Sequence, residues 1–243
     1  MWCWYAGSGY KNSLTRVIIR YFQTCRTGIG ALNMKNFILL LLVIGAVYSF
    51  KPELFSFINN KAAFDEQGNP VTMVFTHNKC GRPCDEAVSL LEKRNVEYSL
   101  YLLDDNEANQ ALWKEYGSVN SFPNIIVGNE KVQGSYKSRI ISVLAMNYGD
   151  RVLTSTERYY MNNHFYDDGS DKLVMYGASW CGYCKKMRKT LAENNVDYIE
   201  IDVEKSSQRK SLTDTLEITG YPLMYYGYKR LEGPNPRDVI ALM

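Results

Sequence analysis

The chain has little excess charge of either sign. Its 28 lysines and arginines nearly balance 26 aspartates and glutamates, for a formal net charge of +2. The basic residues form no stripe with interleaved aromatics, so no nucleic-acid partner is expected. Cysteine is sparse, with six in 243 residues. A chain of this size has no need of a structural disulfide framework, and so few cysteines do not suggest one. Long apolar runs are also missing. The run Phe37–Phe50 (FILLLLVIGAVYSF) is shorter than the about 20 residues that a spanning helix usually needs.

That short run still carries a topology. Lys11, Arg16, Arg20, Arg26 and Lys35 precede it, whereas Lys51 and Lys61 follow. The positive-inside bias leaves the N-terminus in the cytoplasm and the bulk on the extracytoplasmic (periplasmic) side. Two forms stay open. A start at Met34 makes a secretory n-region of Met34-Lys35-Asn36, with Val47-Tyr48-Ser49 as an imperfect cleavage site and a secreted product. A start at Met1 fits a signal anchor, which is the preferred reading. Residues 37–50 would then be the membrane contact.

What is present in quantity is chemistry at residues 180–186, Trp180-Cys181-Gly182-Tyr183-Cys184-Lys185-Lys186. Leu173–Tyr176 reads as a strand and Lys185–Glu193 as a helix. Cys181 then falls at a helix N-terminus, where unpaired N–H groups and the helix dipole favour a thiolate. The alternative for a Cys-x-x-Cys pair is half of a zinc site. The strand-to-helix context favours redox chemistry.

From Val71 the chain repeats itself. Leu91–Tyr98 matches Leu191–Tyr198 at an offset of one hundred, shared by Cys84 with Cys184 and by Val74 with Val174. The offset then becomes ninety-nine, pairing Pro123 with Pro222, Gly128 with Gly227 and Gly134 with Gly233. A period this long implies two whole domains. Each reads as strand, cysteines, helix, strand, polar helix, proline, two short strands and a closing helix. The expected divisions are 1–33 polar, 34–50 anchor or signal, 51–70 linker, 71–149 first domain, 150–170 connector and 171–243 second domain. The connector is polar, bears His164 and has room for some helix.

This order resembles the thioredoxin fold, and the hairpin ending at Gly233 resembles glutaredoxin in particular. Trp180 before the first cysteine looks more like thioredoxin. The resemblance implies an α/β architecture of two tandem thioredoxin-fold (glutaredoxin-like) domains after an N-terminal hydrophobic helix. It also implies cis peptides at Tyr221-Pro222 and Phe122-Pro123, lying against the cysteines. Cys181 and Cys184 would be the catalytic pair, with Trp180, Tyr183, Tyr221, Pro222, Phe122 and Pro123 meeting substrate. The expected activity is thiol–disulfide exchange with protein disulfides, driven by an upstream dithiol reductant or glutathione. No cofactor or metal is required. The family's glutathione-holding Gly-Gly and Asp are broken here, though Arg237 and Asp238 could serve.

The first domain differs. Cys80-Gly81-Arg82-Pro83-Cys84 has three residues between its cysteines. At the offset of one hundred, Gly81 takes the place of Cys181 and Cys80 that of Trp180. Asp85 and Glu86 disfavour a thiolate, while Lys79 and Arg82 favour one. Three readings compete: an accessory redox pair, a degenerate docking unit, or a soft-metal site that resembles thioredoxin-fold copper carriers, with His77 as third ligand. The accessory redox pair is preferred. For the chain as a whole the alternatives are a non-catalytic thioredoxin-fold binding module or, at the second pair, a glutaredoxin-type iron–sulfur bridge between two chains.

Overall fold

The computed structural model describes residues 61–104, 106–116, 121–231 and 233–242. The predicted hydrophobic helix at 37–50, the alternative starts, Cys3 and Cys25 all lie outside these. Among the described residues no helix is long and apolar enough to cross a membrane.

The repeat folds as two four-stranded sheets of the same design. In the first, β1 (Thr72–Thr76) pairs in parallel with β2 (Tyr98–Leu102) and antiparallel with β3 (Asn124–Val127), which pairs antiparallel with β4 (Glu130–Gln133). In the second, β5 (Leu173–Gly177), β6 (Ile199–Asp202), β7 (Leu223–Tyr226) and β8 (Lys229–Leu231) repeat that pattern. The strand orders are β2-β1-β3-β4 and β6-β5-β7-β8. Every residue of β1 and of β5 is buried, as a strand covered on both faces must be.

The helices supply that cover. In the first domain α1 (Arg82–Glu92) and α3 (Lys137–Tyr148) take one face, meeting Val74, Ile125 and Val127 through Ala87, Leu91, Ile140 and Leu144. The other face, with Met73, Phe75 and Ile126, packs against Leu112 and Trp113 of α2 (Glu107–Glu115). In the second domain Met175 and Met224 lie under Met187 and Leu191 of α5 (Gly182–Glu193) and Val239 of α7 (Pro236–Ile240). The opposite face, Val174, Tyr176 and Tyr225, shares a core with Leu212 and Leu216 of α6 (Arg209–Leu216) and with the first domain.

Helix α3 is what the domains share. Residues 140–145 (IISVLA) are buried without interruption, the pattern of a helix covered all round. The Ser142 hydroxyl donates to the Tyr228 carbonyl at 2.6 Å and accepts the Arg230 N–H at 3.0 Å. One side chain thereby satisfies two backbone groups flanking the β8 edge, which would otherwise invite another strand. Glu217 of the second domain accepts the Ser138 N–H at 2.8 Å, so α3 receives an N-terminal cap from across the interface.

Residues 150–170, expected as a polar connector with room for some helix, hold α4 (Ser155–Met161) and bury Val152, Leu153, Tyr160, Met161 and His164. Thr154 and Glu157 form a capping box, which starts the helix. The buried Glu157 carboxylate also takes the Arg94 guanidinium at 2.7 and 2.9 Å, with Lys137 at 3.4 Å. At Glu157 and His164 polarity marks internal partners, while most of the segment's other polar residues face solvent.

His164 pins the connector to the second sheet. Its ring stacks on Tyr225 at 4.5 Å, with the Gly227 carbonyl 3.1 Å from Nδ1 and the Tyr176 hydroxyl 2.8 Å from Nε2. A carbonyl only accepts, so Nδ1 carries the proton and Nε2 accepts from Tyr176. Burial lowers the imidazole pKa from 6.5 to about 3. The native state therefore resists a proton that the unfolded chain takes up below about pH 6.5. Stability should fall as pH drops from that value towards the folded value. By pH 4.5 His164 should account for about 2.5 kcal/mol of the loss. Urea midpoints of wild type and His164→Gln at both pH values check this; equal acid sensitivity in the two would exclude it.

Candidate functional site

Strand register changes the alignment of the two cysteine sites. Phe75 pairs with Asn124 and Tyr176 with Leu223, each strand residue standing opposite the one after the aligned proline. Phe75 is therefore the counterpart of Tyr176, and Thr76 that of Gly177, at an offset of 101. Val74 answers to Met175, not to Val174. The turn that follows keeps the same offset: Cys80 N–H donates to the His77 carbonyl at 2.9 Å, and Cys181 N–H to Ala178 at 3.2 Å. Cys80 thus stands where Cys181 stands, and Lys79 where Trp180 does. The first cysteine has not moved; one residue has been inserted after it.

The inserted residue is Gly81. It is the N-cap of α1, with φ of 61° and ψ of −141°, a backbone setting that suits glycine. In the second domain Cys181 itself is the N-cap of α5, and its Sγ accepts the Cys184 N–H at 3.0 Å. Cys181 is therefore held by the donors that stabilise a thiolate, whereas Cys80 is one residue short of them. Deleting Gly81 should make Cys80 the N-cap and speed its alkylation near neutral pH in the reduced protein. Alkylation rate against pH in the reduced protein measures this, and an unchanged profile would contradict the insertion.

Both pairs are disulfide-bonded, with Cα separations of 5.8 Å for Cys80–Cys84 and 5.2 Å for Cys181–Cys184. Cys181 does not lie open to solvent. It is only 4% exposed, against 0% for Cys184, while Cys80 is half-buried. Aromatic side chains surround the second pair instead. Trp180 and Tyr183 are 68% and 78% exposed, and Trp180 meets Tyr221 edge to face at 6.0 Å. Tyr221 packs on the cluster of Ala178, Cys181 and Cys184. Its hydroxyl donates to Glu204 at 3.3 Å, and Glu204 pairs with Arg209. Burial, then the Glu204 charge, raises the Tyr221 pKa.

The peptides Tyr221-Pro222 and Phe122-Pro123 are both cis. Their aromatic neighbours part company. Phe122 packs with Trp113 at 5.5 Å and with the edge of His77 at 4.7 Å, on the α2 face. His77 Nδ1 accepts the Lys79 N–H at 3.2 Å. Among the described residues no three of histidine, cysteine, aspartate and glutamate gather as a metal site, so His77 is not brought in as a third ligand. Arg82 is engaged by Glu86 at 2.7 Å. Arg237 and Asp238 are exposed in the first turn of α7.

Behind Cys184 lies a pair that sequence reading missed. Arg188 of α5 donates to both oxygens of Glu200 on β6, at 2.6 and 2.8 Å, and to the Ala178 carbonyl at 3.1 Å. Glu200 raises the Arg188 pKa through that bond. A Cβ placed on Gly177 would meet Cys184 Sγ and Glu200 Oε1, each at 3.2 Å. In the first domain Thr76 occupies that position, and its hydroxyl donates to Cys84 Sγ at 2.8 Å. Sequence spacing shows Arg188 and Glu200 twelve residues apart on different elements, with nothing to join them.

Two cysteines joined across the first turn of a helix, beside a cis-proline loop on a four-stranded sheet, define a thioredoxin-fold dithiol–disulfide site. The glutaredoxin family model matches twice, over residues 72–132 and 173–228, once in each domain. The chain is a tandem glutaredoxin/thioredoxin-fold protein. Two provisionally named glutaredoxins of Mycobacterium tuberculosis (strains CDC 1551 / Oshkosh and H37Rv) are 44% identical over 32 residues. That stretch is 13% of this chain and only 38% of those proteins. Among solved structures, an Archaeoglobus fulgidus glutaredoxin is 27% identical, covering 30% of this chain and 85% of its own, with a TM-score of 0.26. The alkylhydroperoxide reductase protein AhpF of Enterococcus faecalis is 15% identical over 78% of this chain and 95% of its own, with a TM-score of 0.28.

Proposed function

We propose that the chain is a thiol–disulfide oxidoreductase working through Cys181 and Cys184. The observation that carries this reading is the placement of Cys181 as the N-cap of α5, its sulfur accepting the N–H of its own partner cysteine. In the reduced pair the Cys181 thiolate attacks a substrate disulfide and forms a mixed disulfide. Cys184 then attacks Cys181, releasing the reduced substrate and closing the pair. Cys181 is nearly buried with Tyr221 packed on its cluster, and the exposed Trp180 and Tyr183 beside it in the chain offer apolar surface suited to flanking peptide as well as to glutathione. Protein disulfides are therefore the proposed substrates. Cys80–Cys84 is an accessory redox pair, reachable through Cys80 but without the N-cap hydrogen bond. The flanking charges of Phe37–Phe50 support an anchored chain with both domains on the extracytoplasmic side.

The test is disulfide reductase activity of the full chain, compared between Cys181→Ser and Cys80→Ser. Loss in the first with retention in the second supports the assignment. A fully reduced chain inert towards both small and protein disulfides would overturn it.

A further inference from the structure

Thr76 is buried at the end of β1, and its hydroxyl lies 2.8 Å from Cys84 Sγ. A disulfide sulfur carries no proton, so the hydroxyl is the donor. The backbone N–H groups at the start of α1 go elsewhere. Pro83 has none, and those of Cys84 and Asp85 both donate to the Gly81 carbonyl, at 3.0 and 3.2 Å. The donor therefore reaches the buried second cysteine, Cys84, and not the half-buried Cys80. The second domain has the opposite polarity. Gly177 stands in place of Thr76, and the Cys184 N–H donates to the first sulfur, that of Cys181.

We propose that the Thr76 hydroxyl stabilises the Cys84 thiolate that appears when the first disulfide opens, so that Cys80–Cys84 is poised to accept electrons. The proposal rests on the reading of this pair as an accessory redox pair and gives it a direction. A thiolate, from glutathione or a protein thiol, attacks Cys80 Sγ, the more accessible sulfur, and a mixed disulfide forms there. The Cys80–Cys84 bond breaks, and its electron pair leaves on Cys84 Sγ. That sulfur then carries the negative charge beside a hydroxyl already aimed at it. A hydrogen bond to an ionised group is about twice as strong as one to a neutral group. The contact therefore favours the open pair over the closed one, and a better-stabilised thiolate leaves faster. A second thiolate attacks the incoming sulfur and releases Cys80 as a thiolate. The two thiols have become one disulfide, and the cysteine pair has gained two electrons.

Nearby charges do not reverse this. Asp85 follows Cys84 and opposes a thiolate there, but it is exposed, and salt and water screen it. Glu86 is held by Arg82 at 2.7 Å. Cys84 lies in the first turn of the 11-residue α1, where the helix dipole favours negative charge. The Thr76 contact is buried, away from that screening. In the second domain Gly177 offers Cys184 no hydroxyl, and the hydrogen bond goes to the sulfur that attacks substrate. The two pairs are thus complementary, the second set to give electrons and the first to take them.

The experiment exposes the oxidised full chain to glutathione, quenches with acid at intervals, and weighs the peptides that hold each cysteine pair. Fragmentation of the Cys80–Cys84 peptide locates the adduct, which should sit on Cys80 with Cys84 free. Thr76→Val keeps the branched shape and loses the hydroxyl. In that variant opening of the first pair should slow about fivefold or more, and its equilibrium with glutathione should shift towards the disulfide by a similar factor. Thr76→Ser, which retains the hydroxyl, should restore both. The Cys181–Cys184 pair in the same samples should open at the wild-type rate, which separates loss of one hydrogen bond from a disturbed fold. An adduct on Cys84 overturns the proposal, as does wild-type opening and equilibrium in Thr76→Val or equal slowing of both pairs. A wild-type first pair that stays closed while the second opens is a different result, and removes the accessory redox reading together with the proposal.

Discussion

Cys181→Ser should reduce disulfide reductase activity at least about a hundredfold, because the thiolate is the nucleophile of disulfide exchange and a serine hydroxyl is not ionised at neutral pH. The serine can still accept the Cys184 N–H as an N-cap residue, so the helix should keep its start. Loss of activity would then reflect loss of the nucleophile and not of the fold. Cys80→Ser should leave most activity in place, since Cys80 lacks the sulfur-to-N–H contact found in the second domain. Both variants need only a standard reductase assay and a circular dichroism spectrum. Full activity in Cys181→Ser would remove the proposed mechanism.

The second large effect is on stability. Arg94 and Glu157 are buried at 7% and 2% side-chain exposure, and Glu157 is bound to the guanidinium through both oxygens. Glu157→Ala leaves a buried guanidinium without its carboxylate and removes the capping-box partner of Thr154. Loss of one partner of such a pair costs about 3–5 kcal/mol. For a domain pair of this size that corresponds to a drop of about 10 °C in Tm. The double change Arg94→Met with Glu157→Leu should recover much of the loss, because no charge is then left stranded. Thermal melts of the single and double variants distinguish an ion-pair effect from general disturbance of α4. A single variant within about 1 kcal/mol of wild type would contradict this account.

Much of this architecture is legible in the residues. The apolar run around Val74 and the repeated Leu91–Tyr98 pattern mark the order of strands and helices, and the aligned prolines mark the loops beside the sites. The cysteine alignment is not legible, because identity at Cys84 and Cys184 imposes an offset of one hundred, while the pairing of β1 with β3 requires 101. A ladder fixes register through backbone hydrogen bonds that no residue comparison contains. The connector deceives for a different reason. Glu157 and His164 are polar residues whose partners, Arg94 and Tyr176, come from separate parts of the chain. Likewise Gly177 signifies nothing until Cys184 and Glu200 are seen on either side of it.

The cover that α3 gives to two sheets has a consequence for descent. A tandem duplication normally leaves two modules that can drift, be lost or be shuffled apart. Here a change at Ser142 or Leu144 is read by both copies at once, since one helix face serves the first sheet while the other seals the edge of the second. The copies have diverged in their cysteine loops, where each is on its own, and are bound to a common fate at their seam.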